Sequence, residues 1–266
     1  MLITRLILTC LFLAASLSGA VRAGPLPDFS ASYELRIGSL RIGTSTVRLE
    51  NRPDDGYRYE SRSTPTPLVA WLLKDKLHEI SSGTFASNGV RPDEYHYSRS
   101  GGKKEREDEL VFDWQSMRVS NDVEGSRWEM DIPASTLDKL ASQLGMMLAL
   151  DQGKTDITFN IADDKKLKKY RFQVVGKETL ELPAGTFETV KILKLRENKN
   201  RETFVWCAPA LNYLPVRIWQ REKDDVEYES ELAEFSESLQ VRNAASQRRL
   251  RRSRGKTDSG RVQDEF

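Results

Sequence analysis

The chain is poor in the residues that most often carry chemistry: it has two histidines and two cysteines in 266 residues. Cys10 lies in an apolar N-terminal segment, which leaves Cys207 as the only thiol of the body. No disulfide framework can form there. Cys207 follows Trp206 in an alternating segment and is expected to be a buried structural thiol. His78 and His96 stand in strand-like segments, with no G-x-S-x-G elbow, H-E-x-x-H pair or C-x-x-C spacing near them. The usual sequence grounds for a nucleophilic triad or a zinc centre are therefore missing. The run Gly101-Gly102-Lys103-Lys104 reads as a turn and lacks phosphate-loop spacing. No cofactor is implied.

Long apolar runs are also scarce. Beyond residue 23 no segment approaches the ~18 consecutive apolar residues of a membrane-crossing helix, so the body is expected to be soluble. Residues 1–23 read as a signal peptide. Arg5 supplies the charged start, Leu6 to Leu17 the apolar centre, and Val21-Arg22-Ala23 the cleavage site before Gly24. The expected location is the periplasm.

What is plentiful is β alternation. Phe29, Ala31, Tyr33, Leu35 and Ile37 alternate with polar residues, and a return strand runs to Leu49 with a phase slip at Gly43-Thr44 that predicts a bulge. Further strands are expected at Tyr57/Tyr59, Leu77–Phe85, Arg91–Arg99, Leu110–Trp114 and Trp128/Met130. A second set is expected at Asp156–Ile161, Lys168–Val175, Glu178–Leu182, Thr186–Leu195, Glu202–Cys207, Pro215–Glu222 and Val226–Phe235. One helix is expected between the two sets, from about Ser135 to Asp151. Ser135 and Asp138 resemble a capping box, Leu137, Leu140, Ala141, Leu144, Met147 and Leu148 fall at helical spacing, and Gly153 lies just past the end. The fold class that follows is mainly β: a curved antiparallel sheet or open β-barrel wrapping one central amphipathic helix.

Two segments depart from this pattern. Leu68-Val69-Ala70-Trp71-Leu72-Leu73 is an unbroken apolar run. It is expected to plug the concave face of the sheet, the commoner fate of such runs, or else to form a lid or partner-facing patch. After residue 239 the apolar signal stops. The body carries 31 basic and 37 acidic residues, the tail eight basic and three acidic. Residues 240–266 are expected to be a disordered basic tail on a single domain spanning 24–239.

The stretch Pro183–Ile192 (PAGTFETVKI), the Trp206 and Ala208-Pro209 after it, Leu214–Ile218 (LPVRI), and the opening hairpin Tyr33–Val47 (YELRIGSLRIGTSTV) carry a family resemblance. They resemble the bacterial exported family called domain of unknown function 3108, over roughly Phe29 to Phe235. The resemblance implies a secreted, mostly antiparallel β protein of the cell envelope, and it brings no catalytic residues.

The preferred functional reading is a non-catalytic periplasmic binding or envelope-assembly module that holds a lipid or hydrophobic client in the concave sheet. Candidate lining or lid residues are Leu68, Val69, Trp71, Leu72, Leu73, Leu144 and Met147. A second partner surface is the tail, where Arg248, Arg249, Arg251, Arg252 and Arg254 suit an anionic surface; no specific nucleic acid is implied. One alternative is a structural envelope protein with a filled core. Another is a hydrolase of envelope polysaccharide working through two carboxylates ~5–9.5 Å apart. With 37 acids in the body, such a spacing will arise somewhere by number alone.

Overall fold

A computed structural model describes residues 26–237, apart from 73, 88, 103, 122–126, 164 and 196–200. The signal-peptide segment, the basic tail and Leu73 thus lie outside the described residues.

Two runs of strands build one sheet. The first is β1 (Phe29–Ile37), β2 (Leu40–Asn51), β3 (Gly56–Pro65), β4 (Lys76–Ala86), β5 (Gly89–Ser100), β6 (Arg106–Asp113), β7 (Arg118–Asn121) and β8 (Trp128–Asp131). The second is β9 (Thr136–Leu137), β10 (Asp156–Asp163), β11 (Lys166–Leu182), β12 (Gly185–Leu195), β13 (Arg201–Ala208), β14 (Leu214–Glu222) and β15 (Glu227–Glu237), with helix α1 (Ala141–Asp151) between β9 and β10. Each strand pairs with its sequence neighbour inside its run, as short turns favour. Antiparallel pairing of β1 with β15 joins the runs, so the middle of the sheet is made by the two ends of the domain and its edges are β8 and β9. The result is a large, open, mainly antiparallel sheet.

The exception is β9, which runs parallel to β10 through Thr136–Asn160 and Leu137–Ile161. A parallel pair needs a crossover, and α1 supplies it. The helix therefore starts about six residues later than its periodicity predicts. Ser135 does not cap it. The Asp138 carboxylate does the work instead, accepting the Ala141 N–H at 2.7 Å. Eight of the eleven helical residues are buried. Leu144 and Met147 join a core cluster with Phe29, Leu49 and Tyr59 of the first run and Leu214, Val216 and Leu232 of the second. Met146, Ala149 and Leu150 pack in another cluster with Ile157, Ile192, Val205 and Cys207. Little of the helix surface is therefore left to solvent.

Register shifts interrupt five of the strand pairings, and two of them bear on the expected strands. In β2 the register slips between Leu35–Gly43 and Arg36–Arg41, beside the predicted position. In β11 it slips between Val174 and Gly176, so the two strands expected at 168–175 and 178–182 are one long, bent strand. The slip adds a residue without breaking the ladder.

The alternating connections sort the turns into two groups. At one end of the sheet lie residues 38–39, 66–72, 74–75, 101–102, 104–105 and 223–226. At the other lie 52–55, 114–117, 132–135 and 209–213, with the end of α1.

Candidate functional site

At the end where α1 stops, a cleft of about 270 Å³ opens between the helix and the strand ends. It is lined by Val90 and Arg91 at the start of β5, Trp114 and Met117 in the β6–β7 turn, Ala134, Ser135 and Leu137 on the approach to the helix, and Phe159 of β10. The helix contributes Gly145, Leu148 and Ala149, and Gln152 and Lys154 follow it. Arg91 and Lys154 are the charged residues of this lining, which contains no Asp, Glu or His among the described residues.

Local structure fixes each wall. Gly145 lets the helix sit close: a Cβ there would stand 3.0 Å from Leu137 Cδ1 and 3.2 Å from Phe159 Cζ. Gly153, at φ +75°, closes the helix in a Schellman motif. Its N–H bonds the Leu150 carbonyl at 2.9 Å while the Lys154 N–H bonds that of Ala149 at 3.0 Å, which sets Lys154 on the rim. Trp114 is held by its indole N–H donating to the Pro92 carbonyl at 2.8 Å and by stacking on Phe112 at 5.6 Å. The Arg91 guanidinium lies 5.2 Å above the indole. The cleft is thus a slot of mixed polar and apolar lining, with an aromatic wall and two cations at its mouth.

Deeper in, a buried polar chain ties the helix start to the first run of strands. Tyr57 Oη and Ser81 Oγ share a hydrogen bond of 2.9 Å, and Ser81 donates to Asp138 Oδ2 at 2.6 Å. Asp138 is fully buried. Burial pushes its carboxyl up to about 7, against the opposing pull of the Ser81 hydroxyl and the backbone N–H groups of Ala141 and Leu140. Tyr95 donates to nearby Glu79 at 2.6 Å. The capping signal in the sequence located Asp138; the Ser81 and Tyr57 partners carry no local signal.

The residues singled out in the sequence do not converge here. Leu144 and Met147 are wholly buried core residues and do not line the cleft. The apolar run is at the opposite end of the sheet, separated from the cleft by the length of β4, roughly 35 Å at about 3.3 Å per residue. Leu68, Trp71 and Leu72 are 73%, 75% and 68% exposed, and Val69 alone is buried. The expected plug is not formed. The β2–β3 ladder ends at Gly43–Pro65, so the run falls beyond the last paired residues, where there is no concave face left to fill.

His78 Nε2 lies 2.6 Å from Glu60 Oε1, and His96 lies 3.9 Å from Glu94 and 3.8 Å from Glu109. Among the described residues no group of three or more His, Cys, Asp or Glu side chains is placed to hold a metal ion. Cys207 is buried in the second core cluster, and burial pushes its thiol up, as expected of a structural cysteine.

Comparison with known proteins adds the following. The model of the family described as Protein of unknown function (DUF3108) matches residues 32–231. No curated protein matches the chain. Among solved structures, a β-barrel-like protein of domain of unknown function DUF1849 from Brucella abortus superposes with a TM-score of 0.52 at 8% identity, covering 80% of this chain and 98% of that one. At that identity the likeness is one of fold. An exported-protein candidate with a YmcC-like fold from Bacteroides fragilis (TM-score 0.37, 12% identity, 80% and 97% coverage) and a lipoprotein candidate from Parabacteroides distasonis (0.34, 13%, 80% and 97%) are more distant in shape.

Proposed function

The chain belongs to this family of proteins of unknown function, and from that premise we propose that it is a non-catalytic binding module of the bacterial envelope, exported to the periplasm by cleavage before Gly24. In this reading the sheet wraps α1 as its central support. The ligand is received by the cleft at the helix end and not by the concave face, which packed side chains occupy. It is a short anionic amphiphile, or one apolar segment of a client that ends in a carboxylate or phosphate.

The observation that carries the reading is the lining of the cleft: Leu137, Leu148, Phe159 and Trp114 inside, Arg91 and Lys154 at the mouth. At about 270 Å³ it lies just below the ~300–1,000 Å³ of drug-sized ligand pockets, a size for one short chain rather than a whole phospholipid. A lining without carboxylate or imidazole supports binding over the acid–base chemistry that a polysaccharide hydrolase needs. The basic tail, with Arg248, Arg249, Arg251, Arg252 and Arg254, adds attraction to anionic head groups at about 1 kcal/mol per residue near a surface.

Decanoate titrated into the full chain should bind saturably and change the Trp114 emission. Arg91→Ala combined with Lys154→Ala should weaken binding at least tenfold, about 1.4 kcal/mol or more. Leu148→Trp, which narrows the slot from a half-buried wall position, should abolish it at an unchanged Tm. Absence of saturable binding, or binding unchanged in the narrowed variant, overturns the proposal. A second reading rests on a separate observation: between the sheet halves the core is continuous from Phe29 to Leu232, which suits a structural envelope protein acting through its surface. That reading gains if decanoate fails.

A further inference from the structure

The exposed apolar turn is a built feature that neither the fold nor the cleft uses. Residues 66–72 leave β3 and are tied down by three backbone bonds: Thr66 N–H to the Ile42 carbonyl at 2.9 Å, Val69 N–H to Thr66 at 3.1 Å and Leu72 N–H to Val69 at 2.9 Å. Val69 is turned inward as an anchor, and Leu68, Trp71 and Leu72 are left standing in solvent. The neighbouring β5–β6 turn packs beneath: Gly101, at φ +84°, comes so close to the Lys74 carbonyl that a Cβ would stand 2.5 Å from it. The turn is held, and its apolar side chains are held outward.

Around this tip the charges favour one sign. Lys74, Lys76 and Lys104 are exposed and have no ion pair among the described residues, against one such exposed acid, Glu105, on the same two turns. Asp75 of the same segment is engaged by Arg99 at 2.5 Å. Arg41, at the start of β2, is also largely exposed, with Glu34 as its partner at 2.8 Å. A tip of Leu, Trp and Leu with a collar of lysines matches the boundary of an anionic bilayer. Trp prefers the head-group level, leucines reach the acyl chains, and Lys stems extend back to the phosphates.

The size of the patch argues against a stable protein partner. Three side chains on one turn offer a few hundred Å², whereas a standard protein interface needs about 800 Å² from each partner.

We propose that the 66–76 turn is a membrane-docking wedge that seats this end of the sheet in the surface of an anionic lipid bilayer, with Leu68, Trp71 and Leu72 inserted and Lys74 and Lys76 on the phosphates. The inference does not rest on the cleft, which faces the opposite end. A protein seated this way holds the mouth of the cleft roughly one strand length above the membrane.

The test is sedimentation of the full chain with vesicles of phosphatidylglycerol and phosphatidylethanolamine, or of phosphatidylcholine alone, with brominated lipid as a quencher of tryptophan emission. The anionic vesicles should bind at least tenfold more tightly than the zwitterionic ones and should quench the protein. Trp71→Ser combined with Leu72→Ser should remove most of the quenching and weaken binding at least tenfold, with an unchanged Tm and unchanged decanoate affinity. Lys74→Glu with Lys76→Glu should weaken anionic binding by a similar factor. Deleting residues 240–266 should leave the quenching in place. The proposal is overturned if the full chain ignores anionic vesicles, or if the serine variant binds like the parent so that the tail alone carries attachment. It is equally overturned if the turn mediates self-association in place of lipid binding.

Discussion

Truncating Leu144 to alanine should lower the unfolding free energy by about 3–5 kcal/mol, the upper part of the range for buried leucines. Leu144 is 0% exposed and packs in one cluster with residues of both strand runs. The cost of such a truncation depends on whether neighbours can move into the gap, and here they cannot easily do so. The helix touches β5 of the first run and β10 and β14 of the second. Gly145 already brings the helix against Leu137 and Phe159, so it has no slack on that side. Urea unfolding followed by tryptophan emission and by far-ultraviolet circular dichroism should show one transition moving to lower urea in both signals. A loss below about 1 kcal/mol would mean that the helix is a peripheral cover, and the wrapped arrangement would fall with it. The matched comparison is Trp71→Ala, which should stay within about 0.5 kcal/mol because that side chain is in solvent, although it is the larger of the two.

That contrast marks the boundary of what could be read from residue order. Alternation locates strands well where one face is buried: Phe29, Ala31 and Tyr33 fall on the core side as their spacing requires. Apolar composition alone says nothing about position relative to the sheet register. Leu68–Leu73 reads as core because it is apolar, yet Leu68, Trp71 and Leu72 are exposed because β3 stops pairing at Pro65. The helix start was misplaced for a related reason. Thr136 and Leu137 continue the helical spacing, yet they pair with Asn160 and Ile161, a contact across more than twenty residues that no local pattern encodes. The cleft was illegible for the same cause. Arg91, Trp114, Leu137, Lys154 and Phe159 come from separate segments, and only the topology assembles them. The one available hint was glycine: Gly145 inside an otherwise apolar helix marks a close approach that the spacing rules do not require.

Asp138 gives the second large expectation, a stability that falls as pH rises through neutrality. Its carboxyl is held at about 7 in the folded protein, against 3.8 in the absence of the fold. Between those values the folded chain keeps a proton that the unfolded chain has released. This contribution is therefore fully present below about pH 4 and is lost as pH rises through about 7, the opposite of an ion-paired carboxylate. Roughly three units at 1.36 kcal/mol each make the loss about 4 kcal/mol. Asp138→Asn keeps an oxygen for the Ala141 N–H and removes the titration. The stability of the asparagine variant relative to the parent should accordingly improve by about 4 kcal/mol between pH 4 and pH 8, with the groups common to both proteins cancelling in the difference. Ser81→Ala supplies an independent handle. The Ser81 hydroxyl lowers the Asp138 value, so its removal should carry the midpoint of the transition above 7. Urea titrations at half-unit steps measure both effects. Parallel pH profiles for the parent and the asparagine variant would place the pH dependence elsewhere, and the Tyr57–Ser81–Asp138 chain would then be a cap and a tether only.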